Sequence, residues 1–398
     1  MIFNSLGSNY DFSYVVKSLF GFGFSDGRKS LKNVLQNRFK GDVELFYKGR
    51  EALEVALRIS RLRKGESVAI NGFTCYVVYK AIINAGLKVE YLDIEPKGLN
   101  FSPEALEGAI KRNSKIKAVI VQNTFGYPCD IKNISDICKK NGIILVEDLA
   151  HSVGTIYSDG RPAGSYGDFI ALSFSQDKII DAVSGGALIV KKTKFRNQSN
   201  VVLKKIPWAW YLKDRLYPKF TFLIRKTYGF FGLGKAFHYL LKKLNLLSTP
   251  IGDGEDSLHI LSNWHSLLTQ NYILDLEKDI EHRRKVSVIY KEKINPSLLS
   301  GKLLADFNRS TNIRFPIFVD RRESLIKYLK ANGVHISDTW YDAPVAPKKF
   351  LKFTNYKNQC PVAEDISSKI VNLPTHKNIS LKEAVFIADK INQWLITK

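Results

Sequence analysis

Two charged side chains, Asp148 and Lys178, stand at or just after the ends of apolar segments that the sequence predicts as buried strands. Asp148 closes the segment 142–148, and Lys178 follows the segment 169–174 after a short polar turn. A lysine amine can form a Schiff base with an aldehyde, and a carboxylate can keep a heterocyclic nitrogen protonated. Pyridoxal 5'-phosphate requires both groups, so we expect this cofactor here.

The elements around these two residues alternate between helical and strand-like patterns. Helices are predicted over 51–63, 76–85, 102–112 and 130–140, and strands over 67–70, 88–92, 118–121 and 143–146. This alternation is typical of an α/β fold with a mostly parallel sheet that helices cover on both faces. Ligands of such sheets bind beyond the carboxyl ends of the strands, where we expect Asp148 and Ser173 to lie.

The last third of the chain predicts a smaller α+β domain. A long helix is expected over 259–293, a strand over 312–319, and helices over 323–331 and 380–396. We therefore divide the chain into an N-terminal arm (1–45), a large cofactor-binding α/β domain (46–255) and a third region (256–398). The third region contains the long helix and the small C-terminal domain.

Composition limits the classes of partner. The 398 residues are 45% hydrophobic and carry a formal net charge of +22, which favours anionic partners. No arginine-rich tail, zinc-finger spacing or RNA-binding motif is present, so we expect neither nucleic acid nor a metal site. The cysteines form neither a disulfide framework nor a CxxC pair. The first residues lack the basic and apolar regions of a signal peptide, and we expect a cytoplasmic protein.

The segment 201–247 mixes eleven aromatic residues with ten basic ones, and Asp214 is its single acid. No run reaches the roughly 18 apolar residues of a spanning helix. The mixture suits a segment that lies in a membrane interface, with its rings at headgroup level and its ammonium groups on anionic phosphates. The alternative is a buried helical insertion whose lysines face water.

Several short motifs occur in a characteristic order from about residue 47 to the C-terminus. They are Gly49-Arg50, Phe73-Thr74, Phe125-Gly126-Tyr127-Pro128, Glu147-Asp148 with Ala150-His151, Ser173-Phe174 with Lys178, Gly185-Gly186, Tyr341 with Pro344, and Asn372 with Pro374. In order and spacing, the chain resembles the DegT/DnrJ/EryC1/StrS family of sugar aminotransferases, which are fold-type-I pyridoxal phosphate enzymes. The resemblance implies a large parallel-sheet domain, a smaller α+β domain and a homodimer.

The resemblance also implies roles for individual residues. Lys178 would bind the cofactor covalently and move the proton during transfer, and Asp148 would pair with the ring nitrogen. Glu147 supplies a second acid, and neither acid has an obvious partner in the sequence. His151 would sit near the cofactor ring, although a structural histidine is the alternative.

Other residues match the positions that hold the phosphate and the ring. Gly49 and Arg50 precede a predicted helix, whose start supplies backbone donors for phosphate, and Ser173 is a second candidate. Arg50 replaces the usual hydroxyl residue. Cys75 stands where the family places an aromatic ring against the cofactor, and either Cys75 or Tyr76 would take that role.

Two further departures concern the neighbourhood of the site. Asn123 or Thr124 replaces a common histidine, and the element through which one subunit usually reaches its neighbour's phosphate has no counterpart near residues 256–261. The details of the dimer contact are therefore left open.

We expect an aminotransferase that moves an amino group, from glutamate, to a keto-sugar on a nucleotide or lipid diphosphate. The pathway would be cell-surface polysaccharide biosynthesis, including lipopolysaccharide. Two alternatives remain at the level of sequence: a pyridoxal phosphate-dependent sugar dehydratase, against which Lys178 argues, and a non-catalytic scaffold or sensor docked on a membrane. The protein would be cytoplasmic or peripheral on the inner membrane face.

Overall fold

The alternating segments form one seven-stranded sheet in a computed structural model, which describes residues 1–20, 26–195, 201–250, 257–336 and 340–396. The strands, in chain order, are β1 (Ile2–Phe3), β2 (Asp42–Phe46), β3 (Ser67–Asn71), β4 (Thr74–Cys75), β5 (Lys88–Leu92), β6 (Ile116–Gln122), β7 (Ile144–Asp148), β8 (Phe169–Ser173), β9 (Gly186–Val190), β10 (Arg314–Phe318), β11 (Val334–His335), β12 (Val345–Ala346) and β13 (Ile370–Pro374).

The order of strands in the large sheet is β2-β9-β8-β7-β6-β3-β5. Six strands run in one direction, and β9 runs against both of its neighbours. Every residue of β3, β7 and β9 is buried, as expected where helices cover both faces. The predicted α/β class with a mostly parallel sheet is confirmed. The sequence did not indicate that β2 joins this sheet or that β9 reverses.

The helices carry the remaining regular structure. They are α1 (Phe12–Phe20), α2 (Gly27–Phe39), α3 (Gly49–Ile59), α4 (Tyr76–Asn84), α5 (Pro103–Arg112), α6 (Ile131–Lys140), α7 (Trp208–Thr227), α8 (Leu233–Lys243), α9 (Asn263–Leu274), α10 (Leu276–Lys293), α11 (Gly301–Ala305), α12 (Arg322–Ala331), α13 (Lys348–Leu351), α14 (Pro361–Lys369) and α15 (Leu381–Ile396). Short 3₁₀ turns occur at Thr124–Gly126, Thr193–Phe195 and Pro296–Leu298.

The long helix expected over 259–293 is two helices. Ser262 caps the start of α9 by accepting a hydrogen bond from the His265 N–H, so the helix begins four residues later than expected. Asp275 leaves the helical conformation with φ −99° and ψ 2°, and its N–H caps the end of α9 before α10 begins. The prediction was wrong because an apolar pattern that continues across 274–276 does not reveal a one-residue break.

The small C-terminal region has its own core. Strands β10 and β13 pair antiparallel, and α10, α12 and α15 bury residues such as Tyr290, Leu325 and Ile387 against them. The first strand, β1, pairs with β11, so the start of the chain is fastened to this region. The boundary predicted at 255/256 lies outside the described residues, as do residues 21–25 of the predicted arm.

The segment 201–247 forms α7 and α8, and its two faces differ. Asp214, Tyr217, Thr221 and Ile224 of α7 are buried against the body of the protein. Large apolar side chains on the other face are exposed, among them Phe231 at 90%. Among the described residues, no helix combines the length and the apolar character needed to cross a bilayer. The inner face agrees with the buried insertion expected as one alternative, and the outer face is exposed.

Asp214, the acid of this segment, fastens α7 to the large domain. Its carboxylate accepts hydrogen bonds from Tyr47 Oη at 2.8 Å and from His265 Nε2 at 2.9 Å. Burial alone would raise the pKa of Asp214, but the hydrogen bond and charge of His265, with the charge of Lys48 nearby, lower it to about 2. The ionised carboxylate therefore stabilises the folded chain.

Acid should weaken the contacts of Asp214, because it protonates the carboxylate. A carboxyl whose pKa is lower in the folded state contributes stability above its unfolded pKa and loses it as the pH falls through the folded value. We expect the free energy of unfolding to drop by about 2 kcal/mol between pH 4 and pH 2 through Asp214. In Asp214→Asn, urea unfolding should give a lower stability at pH 7 and a flatter acid limb. An unchanged acid limb in the variant would contradict this assignment.

Candidate active site

The predicted site residues converge at the carboxyl edge of the large sheet. Asp148 ends β7, Ser173 ends β8, and Lys178 follows in the loop 174–185 that leads into β9. Seven of the eight predicted residues line one cleft there: Gly49, Arg50, Cys75, Asp148, His151, Ser173 and Lys178. Leu53, Gln122 and Tyr341 also line it. Residues far apart in sequence meet here because parallel strands deliver their ends to one edge.

Tyr76 is the predicted residue that does not line this cleft. Its ring stacks on Phe350 at a centroid distance of 4.9 Å and on Tyr79 at 6.0 Å. Cys75 ends β4 and lines the cleft, whereas Tyr76 begins α4 and packs on the small-domain side. Of the two candidates for contact with a cofactor ring, the geometry favours Cys75.

The N-terminus of α3 reaches the cleft because of two glycines. A Cβ on Gly49 would lie 2.7 Å from Ser173 Cβ, and a Cβ on Gly186 would lie 2.6 Å from Gly49 Cα. Only glycine at both positions lets the helix start approach β8 and β9 so closely. The unpaired N–H groups of a helix start favour anions, and Arg50 adds positive charge beside them. This corner fits a phosphate.

Lys178 lies close to two aromatic rings. Its Nζ is 3.1 Å from His151 Nε2 and 4.4 Å from the centre of the Trp340 ring. Burial lowers the pKa of Lys178, although Cys75 and the carboxylate of Asp148 act in the opposite direction. A lysine with a lowered pKa is neutral for more of the time and is therefore a better nucleophile.

The hydrogen bonds of His151 fix which ring nitrogen carries its proton. Burial, with the charge of Arg314, holds the pKa of His151 well below the usual range, so the ring is neutral. Its Nδ1 lies 3.3 Å from the backbone N–H of Phe125 and must accept that bond. The proton therefore sits on Nε2 and points to Lys178, whose amine must be the acceptor. His151 thus favours the neutral form of Lys178.

The two neighbouring acids have different surroundings. The Asp148 carboxylate accepts a hydrogen bond from the Ala150 N–H at 3.0 Å. Burial raises the pKa of Asp148, and the charge of Lys178 acts against that rise. Glu147 does have partners, contrary to the impression from sequence. It accepts bonds from Tyr157 Oη at 2.6 Å and from the N–H groups of Gly164, Tyr166 and Gly167. Glu147 is therefore structural, and Asp148 remains available.

Sequence reasoning missed the group that holds the Lys178 loop. The buried carboxylate of Asp181 accepts hydrogen bonds from Tyr10 Oη at 2.6 Å, Asn9 Nδ2 at 2.8 Å and the Asp177 N–H at 2.9 Å. Tyr14 Oη donates to the Asp181 carbonyl at 2.8 Å. Asn9, Tyr10 and Tyr14 lie some 170 positions away from Asp181, and no local pattern signals such a pairing.

The groups around the cleft fit pyridoxal phosphate in their chemistry: an amine, an acid, and a helix start with Arg50 and Ser173 for phosphate. The open volume between these side chains is about 50 Å³. A cavity that holds a benzene ring is roughly 150 Å³. Binding of a substituted ring therefore requires side chains that line this cleft to move.

The fold and site together define a fold-type-I pyridoxal phosphate enzyme. The model of the DegT/DnrJ/EryC1/StrS aminotransferase family matches residues 46–205 and 260–392, and the chain belongs to this family. The predicted recognition, the cofactor and the enzyme class, a sugar aminotransferase, are confirmed. Residues 206–259, which include α7 and α8, lie outside the match.

Individual relatives agree with this assignment. The chain is 30% identical to GDP-perosamine synthase of Vibrio cholerae over 82% of this chain and 79% of that protein. A shorter match to EpsN of Bacillus subtilis has 36% identity but spans only 37% of that relative. Among solved structures, PseC of Helicobacter pylori superposes with a TM-score of 0.73 at 16% identity, covering 97% of this chain and 96% of that one. At that identity the likeness shows the fold alone.

Removal of one hydroxyl should test the Asp181 contacts. We expect Tyr10→Phe to lower the free energy of unfolding by about 2 kcal/mol, because a buried carboxylate loses a donor. It should also weaken cofactor binding, because the Lys178 loop is less firmly held. Urea unfolding and titration with pyridoxal phosphate measure the two effects.

The matched control is Tyr166→Phe, since Tyr166 Oη also donates to a carboxylate, that of Asp159, but at an exposed site. It should change stability by less than about 0.5 kcal/mol. A Tyr10→Phe variant that is less stable yet binds the cofactor with wild-type affinity would contradict a role in positioning Lys178.

Proposed function

We propose that this chain transfers an amino group from an amino acid, with glutamate as donor, to a keto-sugar carried on a nucleotide diphosphate. The pathway is the assembly of cell-surface polysaccharide, lipopolysaccharide included. One observation carries the proposal: Lys178 and Asp148 line the same cleft as the N-terminus of α3. The names of relatives support the substrate class. They include a GDP-perosamine synthase, a dTDP-linked amino-sugar transaminase and a UDP-linked glucuronate aminotransferase.

The proposed roles follow the chemistry of each group. When bound, pyridoxal phosphate supplies an aldehyde that condenses with amines and a ring that withdraws electrons. Asp148 would hold the ring nitrogen protonated. The first N–H groups of α3, Arg50 and the Ser173 hydroxyl would hold the phosphate, and Cys75 would contact the ring.

Lys178 acts as the proton carrier. Its amine, kept neutral by burial and by the Nε2–H of His151, can take a proton from the substrate carbon at Nζ and return it. Tyr341 and Trp340 shield this amine from water, since Tyr341 is buried and lines the cleft. A dry site strengthens the charge interactions of Asp148 and Lys178.

Part of the proposal concerns the assembly. A homodimer is expected because sites of this fold are generally completed by a second subunit, and sedimentation equilibrium measures it directly. A monomer at all protein concentrations that retains full activity would contradict the expectation. The division of the chain into an arm (1–45), a large domain (46–255) and a third region (256–398) is also part of the proposal.

Substitution of the amine tests the function. Lys178→Ala should lose transamination entirely and should lack the visible absorbance of a lysine-linked cofactor. The control Lys140→Ala changes an exposed lysine of α6 and should keep both. Addition of glutamate to the wild type should bleach that absorbance and release a 2-oxo acid. Turnover by Lys178→Ala at the wild-type rate would refute the assignment, and a wild type without cofactor absorbance would favour the scaffold.

The location of the enzyme is a further part of the proposal: the outer face of α7 and α8 rests on an anionic membrane. Leu233, Leu240 and Leu244 recur along one side of α8 at exposures of 49–55%, and Phe230 and Phe231 project at the turn between the helices. The segment's acid is buried, so its surface charge is positive. A second copy on this face would oppose like charges, whereas anionic headgroups complement them.

Vesicle sedimentation tests this location. The wild type should pellet with phosphatidylglycerol vesicles and not with neutral ones, and Phe230→Ser with Phe231→Ser should reduce the pelleted fraction severalfold. Phe353→Ser is the control, because Phe353 is 58% exposed but lies outside the segment. Equal pelleting of the double variant and the wild type would contradict membrane docking.

A further inference from the structure

A second, larger cavity lies beside the Lys178 site. It is a cleft open to solvent, lined by residues 3–6, by α7, α8 and the residues that follow α8, and by α12 and β11 of the small domain. Its volume is about 720 Å³, within the range of roughly 300–1,000 Å³ that is typical of small-molecule sites. We call it the insertion cleft. Residues 217–250 on its wall fall in the part of the chain that the family model does not match.

The insertion cleft carries positive charge. Lys242 of α8 and Lys330 of α12 line it from two different elements, and neither has a carboxylate partner among the described residues. His238 lines it as well. The acid on the wall, Asp177, is faced by the buried guanidinium of Arg314 at 3.9 Å. The net charge of the lining therefore favours an anion.

A buried histidine in the wall has an unused polar atom. His335 is 9% exposed, and its Nε2 has no hydrogen-bond partner among the described residues. Its ring is held by stacking on Phe3 at 4.8 Å and by edge contact with Tyr228 at 5.0 Å. This nitrogen has almost no surface that solvent can reach, so the ring forms an apolar part of the wall and offers no hydrogen bond to the cleft.

The cleft adjoins the reacting amine. Trp340 lines the insertion cleft, and its ring centre is 4.4 Å from Lys178 Nζ. Asp177, which also lines the cleft, directly precedes Lys178 in the chain. A ligand in the cleft can therefore present an attached sugar at Lys178 on the other side of Trp340.

We propose that the insertion cleft binds the diphosphate of the activated sugar, with Lys242 and Lys330 as its charge partners. The proposal rests on the proposed function, since it names where that substrate's carrier binds. A diphosphate can come from a nucleotide or from a polyprenyl carrier, and both present the same anionic group to these side chains. The segment 206–259 would then contribute to substrate recognition.

Charge reversal with matched controls tests this site. Lys242→Glu and Lys330→Glu should each raise the Kd for a nucleoside diphosphate about tenfold or more, because each replaces an attraction by a repulsion. The controls Lys243→Glu and Lys327→Glu change exposed lysines on the same two helices that do not line the cleft. They should stay within about twofold of the wild type. Calorimetry with GDP, UDP and dTDP measures binding to the intact, cofactor-loaded protein.

The carrier is distinguished in a parallel experiment. If the wild type binds a nucleoside diphosphate saturably and Lys242→Glu weakens that binding, the result supports the proposed cleft and a nucleotide carrier. Binding to phosphatidylglycerol vesicles that rises when polyprenyl diphosphate is added to them supports the cleft with a lipid carrier, if Lys242→Glu removes that rise. Equal binding by Lys242→Glu, Lys330→Glu and their controls overturns the proposal.

The measurements distinguish a wrong proposal for the insertion cleft from a wrong proposed function. The cleft variants should keep the cofactor absorbance and its bleaching by glutamate, because their lysines do not line the Lys178 cleft. A KM for the keto-sugar that rises while these signals persist supports the cleft. Normal bleaching with unaltered diphosphate binding rejects the cleft alone, and a wild type without bleaching rejects the proposed function.

Discussion

The buried carboxylate of Asp181 holds the active-site loop in place. It binds Tyr10 and Asn9 from the start of the chain and the backbone of the loop itself, so the position of Lys178 depends on residues far away in sequence. The loop needs such support because Asp177 and Val183 adopt positive φ angles of 60° and 68°. A β-branched residue in this conformation is strained, and the strain persists only where surrounding contacts impose it.

The same dependence on distant contacts governs the protonation of Lys178. The backbone N–H of Phe125, a residue with φ 54°, binds His151 and thereby decides which ring nitrogen faces the amine. Condensation and proton transfer need a neutral amine, and burial and the Nε2–H of His151 both favour that form of Lys178. The burial of Lys178, the fixed tautomer of His151 and the strained turn at Phe125 therefore act together on Lys178 Nζ.

Most of the segment 201–247 lies outside the family match, and its helices pack against the body of the protein. Its inner face is fixed by a buried hydrogen bond between Asp214 and His265, and the residues around its C-terminal half form a wall of the insertion cleft. Its outer face leaves aromatic and aliphatic side chains in water. One helical pair thus packs against the body of the protein, lines the insertion cleft and exposes an apolar face, because helices present different residues on each side.

The sequence by itself predicted a mostly parallel sheet covered by helices and the chemistry of the site. Local periodicity gave the strands and helices from residue 49 to 148, and the ends of parallel strands must meet at one edge, so Asp148, Ser173 and Lys178 could be expected together. Only the tertiary structure decided the surroundings and hydrogen-bond partners of those groups. The partners of Glu147 and Asp181, the break at Asp275, the exclusion of Tyr76 and the cleft between α8 and α12 all depend on contacts between distant residues. Local propensity carries no information about such contacts, because the chain forms them only once the whole core has packed.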